Sequence, residues 1–190
     1  MEKEEERREE GEKVKLQYHS PCINKECRNV NVLQEYKRQI VQCEGCGQEY
    51  EFIPTKTVKL SAYYRAAGNL NEENPKDLID KLSIYGKILE LIGGIYGDAF
   101  NDWGMAEAER REIIANGIYH RPSVDGGETP SSDKKGEAAG ELLAKEARRK
   151  EKKFEAEKER WRKAYDSTSE QINIMKKRYD HLVNVAKGGV

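Results

Sequence analysis

The sequence predicts a multi-part α+β chain: a small β-rich unit around four cysteines, then an α-helical region, then a long C-terminal coiled-coil-like helix. Three observations predict it. All four cysteines fall between positions 22 and 46, among short stretches of alternating polarity. Apolar residues recur at three- and four-residue steps from Leu78 onward. Residues 141–187 contain neither proline nor glycine, and a heptad register runs through them.

A chain that is 36% charged and 36% hydrophobic is not packed throughout its 190 residues, so small folded units joined by solvated segments are expected. The segments read as a charged flexible tail (1–12), the cysteine unit (13–54), a small helical region (55–121), a flexible linker (122–140) and the long helix (141–187). The formal charge of -1 conceals alternation along the chain. Asp and Glu counted against Lys and Arg give -4 for residues 1–12, +3 for 13–60, -5 for 61–140 and +5 for 141–190. A near-neutral total therefore does not exclude an anionic partner.

The first residues, MEKEEERREE, carry charge where a secretory signal needs an apolar run, and no stretch approaches the roughly 20 apolar residues that cross a bilayer. The expectation is a soluble intracellular protein, cytoplasmic or nuclear or carried in a viral particle, with no membrane partner. In that setting clustered cysteines read as metal ligands before disulfides.

Three strands are expected, at Val14–Tyr18, Arg38–Gln42 and Tyr50–Ile53, with the unit closing near Pro54. Leu60 to Ala67 reads as a short helix. Asn74, Pro75 and Asp77 form a helix start, and Leu78, Leu82, Tyr85, Leu89 and Ile92 share one face up to an expected stop at Gly93-Gly94. A further helix is expected from Met105 to Asn116, ended by Gly117. Residues 122–140 are rich in Gly, Ser, Pro and charge, the composition of a linker.

Cys22, Cys27, Cys43 and Cys46 stand as C-x4-C, fifteen residues, then C-x2-C. Two tight turns that each present a pair of thiolates suit the tetrahedral preference of one structural zinc ion. Gly47 after Cys46 favours a turn with positive φ. His19 lies three positions before Cys22, but four cysteines already complete a closed site with no open position for water or substrate. Cys43 to Phe52, written C-x2-C-G-x2-Y-x-F, resembles the second knuckle and following strand of the zinc-ribbon superfamily, a resemblance that covers residues 13–54. The first knuckle departs from the usual C-x2-C by two residues. The superfamily serves in transcription factors, ribosomal proteins and recombinases, so the resemblance implies a module and not a particular job.

Lys25, Arg28, Lys37 and Arg38, interleaved with tyrosines, are the candidate contacts to DNA or RNA, although Glu26, Glu35, Glu44, Glu49 and Glu51 share the stretch. In the long helix, Phe154, Trp161, Thr168, Met175 and Leu182 are seven apart, and Lys158, Tyr165, Ile172, Tyr179 and Ala186 follow each by four. This is the seam of a coiled coil or of a helix in a partner's groove, and it leaves open packing on the chain's own middle helices and a homo-oligomer. Bulky Trp161, Tyr165 and Tyr179 disfavour a tight parallel dimer. No Gly-rich phosphate loop, nucleophile motif or metalloprotease motif is present. The sequence thus predicts a non-enzymatic adaptor that docks a protein through the 154–186 seam within a nucleic-acid-handling complex; the rival is a structural subunit of a virion or ribonucleoprotein.

Overall fold

The computed structural model describes residues 16–120 and 133–188. The charged tail, the start of the expected first strand, residue 121 and residues 122–132 of the linker lie outside the described residues. The elements are β1 (Tyr18–Pro21), β2 (Val30–Leu33), β3 (Gln39–Gln42), β4 (Glu49–Phe52), α1 (Lys56–Gly68), α2 (Pro75–His120), α3 (Asp133–Leu143) and α4 (Lys145–Ala186). Strands and helices together make this an α+β chain. The chain divides into two compact units, Met1–Leu91 with Thr168–Val190, and Ile92–Ser167.

In the first unit the strands form two antiparallel hairpins, β1 with β2 (Tyr18 opposite Leu33) and β3 with β4 (Gln39 opposite Phe52). Four strands stand where three were expected, the addition being β2. Strand alternation puts Tyr50 and Phe52 inward and Glu49 and Glu51 outward, and Tyr18, Val41 and Cys43 complete the buried face. Ala62 of α1 belongs to the same core, with Val58 packed against it. The cysteine unit therefore does not close at Pro54. Helix α1 begins earlier than its apolar residues indicate, because the Thr55 hydroxyl accepts from the Val58 amide at 3.3 Å and caps it.

Asn74 starts α2 as the sequence indicates, its side-chain oxygen accepting from the Lys76 amide at 3.0 Å. Leu78, Ile84 and Ile88 are buried on this helix, and Tyr85 meets Tyr64 of α1 edge-on at 6.1 Å. Lys81 is buried too, its ammonium 2.7 Å from Glu72, and Arg178 of α4 donates to that same carboxylate at 2.8 Å. Two cations around one carboxylate tie the loop before α2, α2 itself and the end of α4 together.

The second unit corrects the helix boundaries. Helix α2 runs through Gly93-Gly94 without a break, and Gly117 lies inside it. Each interior glycine costs about 1 kcal/mol relative to alanine, and burial of Ile92, Ala99 and Ala106 on one face offsets part of that cost. Gly93 faces Tyr165, whose ring would lie 3.5 Å from an added Cβ. Gly117 is a contact and not a stop: an added Cβ would lie 2.4 Å from the Cα of Gly140. Gly140 sits on α3, so residues 133–140, assigned to the linker by composition, are helical and meet α2 backbone to backbone. Further along, Arg110 pairs with Glu151 at 2.6 Å, Lys150 with Glu109 at 2.7 Å, and Lys158 lies 3.4 Å from the centre of the Trp103 ring.

Candidate metal centre

The two hairpins end in turns that carry the cysteines. In the first, the Cys22 amide donates to the Asn29 carbonyl and the Cys27 amide to the Asn24 carbonyl, both at 3.0 Å. In the second, the Gly47 amide donates to the Cys43 carbonyl at 2.8 Å, and Gly47 takes the positive φ of 73° that a side chain would resist. Gly45 is required for a different reason. An added Cβ would lie 2.8 Å from Cβ of Asn29 and 3.2 Å from Sγ of Cys27.

These turns bring the four sulfurs within 4.8 Å of one another, with Cys22 to Cys46 at 3.6 Å and Cys27 to Cys43 at 3.7 Å. None is in a disulfide. A tetrahedral ion with metal–sulfur bonds of about 2.3 Å needs sulfur–sulfur edges of about 3.8 Å, so the donor set fits one metal ion. His19 is not part of the cluster.

Burial pushes the Cys22 thiol up to about 12, with the other three sulfurs adding to the push against the Asn24 amide. At Cys27 the Asn29 amide lowers the value, but burial and hydrogen bonding to Cys46 and Cys43 outweigh it and leave the thiol raised. Cys43 is opposite. Burial opposes ionisation there, yet the Cys46 and Gly45 amides and the Cys22 and Cys27 thiols bring it down to about 6. The Cys46 and Gly45 amides thus favour the thiolate at Cys43, and a metal entering the cluster displaces the protons of the raised thiols.

A polar network that the cysteine spacing does not announce braces the two turns. Asn29 Nδ2 points at Cys43 Sγ at 3.7 Å and donates to Asn31 Oδ1 at 3.1 Å. Asn31 Oδ1 also accepts from the Glu44 amide at 3.1 Å, and Asn31 Nδ2 donates to the Tyr50 hydroxyl at 2.8 Å. The Tyr50 hydroxyl in turn donates towards Ser20, whose carbonyl oxygen and Oγ lie 3.1 and 2.9 Å away. Asn31, Ser20 and Tyr50 are all buried. The signal for this network was the alternation Asn29-Val30-Asn31-Val32, with the asparagines facing in.

The candidate nucleic-acid residues do not form one patch of free cations. Arg38 is held by Glu51 through Nε at 2.5 Å and Nη2 at 3.0 Å, and Lys37 pairs with Glu35. Lys25 and Arg28 are exposed at the first turn and enter no ion pair among the described residues. Of the α4 seam, Met175 and Thr168 are buried in the first unit, with Ile172, Tyr179 and Leu182 half-buried there. In the second unit Phe154 and Trp161 are half-buried, and Tyr165 is 39% exposed. Among the described residues no helix is long and apolar enough to cross a membrane.

Fold and site together define a four-cysteine unit of two antiparallel hairpins whose sulfurs are close enough to hold one metal ion, an arrangement compatible with a zinc ribbon. Family models, curated proteins and solved structures returned no match to this chain.

Proposed function

We propose that this chain is an adaptor without catalytic activity of its own, in which one structural zinc ion holds a ribbon that binds a protein partner. The observation that carries this reading is the closed donor set. Four sulfurs within 4.8 Å of one another fill the tetrahedral positions and leave none for water or substrate. Soft thiolates in tetrahedral array favour zinc over hard cations. The metal supplements the small core that Tyr18, Val41, Tyr50, Phe52 and Ala62 build.

The exposed aliphatic side chains of the ribbon, Ile23, Val30, Val32, Ile40 and Ile53, support protein contact there. The heptad seam of α4 has its central Thr168 and Met175 buried within their own unit, which supports packing in cis over a coiled coil with a second chain. A second reading, contact with DNA or RNA inside a nucleic-acid-handling complex, is favoured by Lys25 and Arg28 alone of the four candidate cations. The setting of a virion or ribonucleoprotein fits the protein-contact reading equally.

Native mass spectrometry of the purified protein, with and without a chelator and with a pool of short DNA and RNA, tests these readings. One zinc per chain with no nucleic-acid adduct at low salt supports the protein adaptor. An adduct that disappears on chelation moves the assignment to the second reading. A chain that carries no zinc after reconstitution refutes both.

A further inference from the structure

Among the described arginines, Arg38, Arg110, Arg111, Arg148, Arg149, Arg160, Arg162 and Arg178 each pair with a carboxylate. Arg28 is exposed. Arg65, in the last turn of α1, is half-buried and pairs with none. Its Nη2 donates to the Gln17 carbonyl at 3.0 Å, and its Nε is enclosed without an acceptor. Arg110 is the instructive contrast, since it too is half-buried and has Glu151 at 2.6 Å and Glu141 at 4.0 Å. The exposed Nη2 has one carbonyl, but the Nε–H is withdrawn from water with no acceptor, which leaves it under-satisfied among the guanidinium donors. The carbonyl end of α1 offsets part of its charge and satisfies none of those donors.

Arg65 borders an open cleft of about 550 Å³ between the start of β1 and the end of α1, lined also by Gln17, His19, Ala62, Ala66 and Asn69. That volume falls within the range of small-molecule sites. Its lining combines polar side chains with the alanines of α1. His19 is half-buried there, and burial and then the nearby Arg65 charge lower its pKa, so the cleft holds one fixed cation beside a neutral imidazole. Such a pair is matched by an oxyanion. The guanidinium fork binds two oxygens, and the imidazole takes up a proton or donates one hydrogen bond.

We infer that this cleft is an anion-binding site in which Arg65 and His19 hold the carboxylate or phosphate of a small organic molecule. It lies apart from the cysteine cluster and does not rest on the metal reading. The guanidinium anchors the oxyanion, His19 is the second contact, and the half-buried Ala66 packs against the body of the ligand.

The test is a ¹H–¹⁵N NMR titration of the full chain with inorganic phosphate and, separately, with acetate, at an ionic strength held constant with sodium chloride. The expected result is saturable shifts confined to Gln17, His19, Arg65 Nε, Ala66 and Asn69, with the His19 pKa rising as the anion binds. Arg65→Lys keeps the charge and loses the fork, and weakens binding about tenfold. Arg65→Met abolishes it. Saturation by phosphate alone assigns a phosphate ester, and saturation by acetate alone assigns a carboxylate. Absence of saturable shifts with both probes in the wild type, or shifts that persist in both Arg65 variants, overturns the inference.

Discussion

Asn31→Ala is the substitution that most directly probes how the two cysteine turns are braced for the proposed metal. The side chain makes three hydrogen bonds, accepting from Asn29 Nδ2 and from the Glu44 amide at 3.1 Å each and donating to the Tyr50 hydroxyl at 2.8 Å. Asn29 and Glu44 lie near enough to solvent to rehydrate, and Tyr50 retains Ser20 as an acceptor, so the full cost of stranding three buried groups does not apply. At about 1 kcal/mol for each bond lost, the change removes about 2–3 kcal/mol. Under the proposed zinc reading, metal binding and folding of the ribbon form one equilibrium, and that loss reads as metal affinity weaker by roughly 30- to 150-fold. The assay is competition for zinc against a chromogenic chelator at constant pH. Val32→Ala, one residue away on the outward face, is the control and shifts affinity by less than about threefold. An Asn31→Ala affinity within threefold of wild type, or an equal loss in Val32→Ala, refutes the bracing role of the network.

Two other perturbations address the helices. Gly117→Ala places a methyl group 2.4 Å from the Gly140 backbone, so α3 loses its seat on α2; hydrogen exchange in 133–143 accelerates by at least about tenfold while the ribbon amides are unchanged. Glu72→Gln leaves Lys81 buried without its counter-charge and lowers stability at pH 7 by about 1–2 kcal/mol, discounted because Glu72 is one-third exposed. The hydrogen bond from Lys81, then the Lys81 and Arg178 charges, hold the Glu72 carboxyl below its usual range against the effect of burial. A depressed carboxyl stabilises above its unfolded value and loses that contribution as pH falls through the folded one. The gap in urea midpoint between wild type and Glu72→Gln, followed by far-ultraviolet ellipticity, therefore closes on acidification below about pH 4; a gap independent of pH refutes the pairing.

What was legible in the sequence were the features that local chemistry dictates. Cysteine spacing announced the donor set, Asn74-Pro75 announced the start of α2, and the absence of breakers announced α4. What was not legible depended on neighbours distant in sequence. Gly93 and Gly117 look like helix stops because glycine is a poor helix former, yet each faces another helix in space, Tyr165 in one case and Gly140 in the other. Strand β2 escaped notice because its inward residue is Asn31 and its outward residues are Val30 and Val32, the reverse of the usual alternation. Only the partners of that asparagine, contributed by residues 29, 44 and 50, make its burial favourable. Whether the seam of α4 would serve the chain itself or another chain was likewise a question about surfaces the heptad pattern does not encode.

Helix α1 carries a consequence of its own. At 13 residues it is too short to persist in water unaided, and its two sides are occupied by different neighbours. Ala62 is sunk among Tyr18, Tyr50 and Phe52, while Tyr64 leans on Tyr85 of α2. The helix is therefore a cooperative link. Melting of the ribbon deprives α1 of half its support, and the loss is transmitted to Tyr85, so that the first turns of α2 sense the state of the cysteine cluster without touching it.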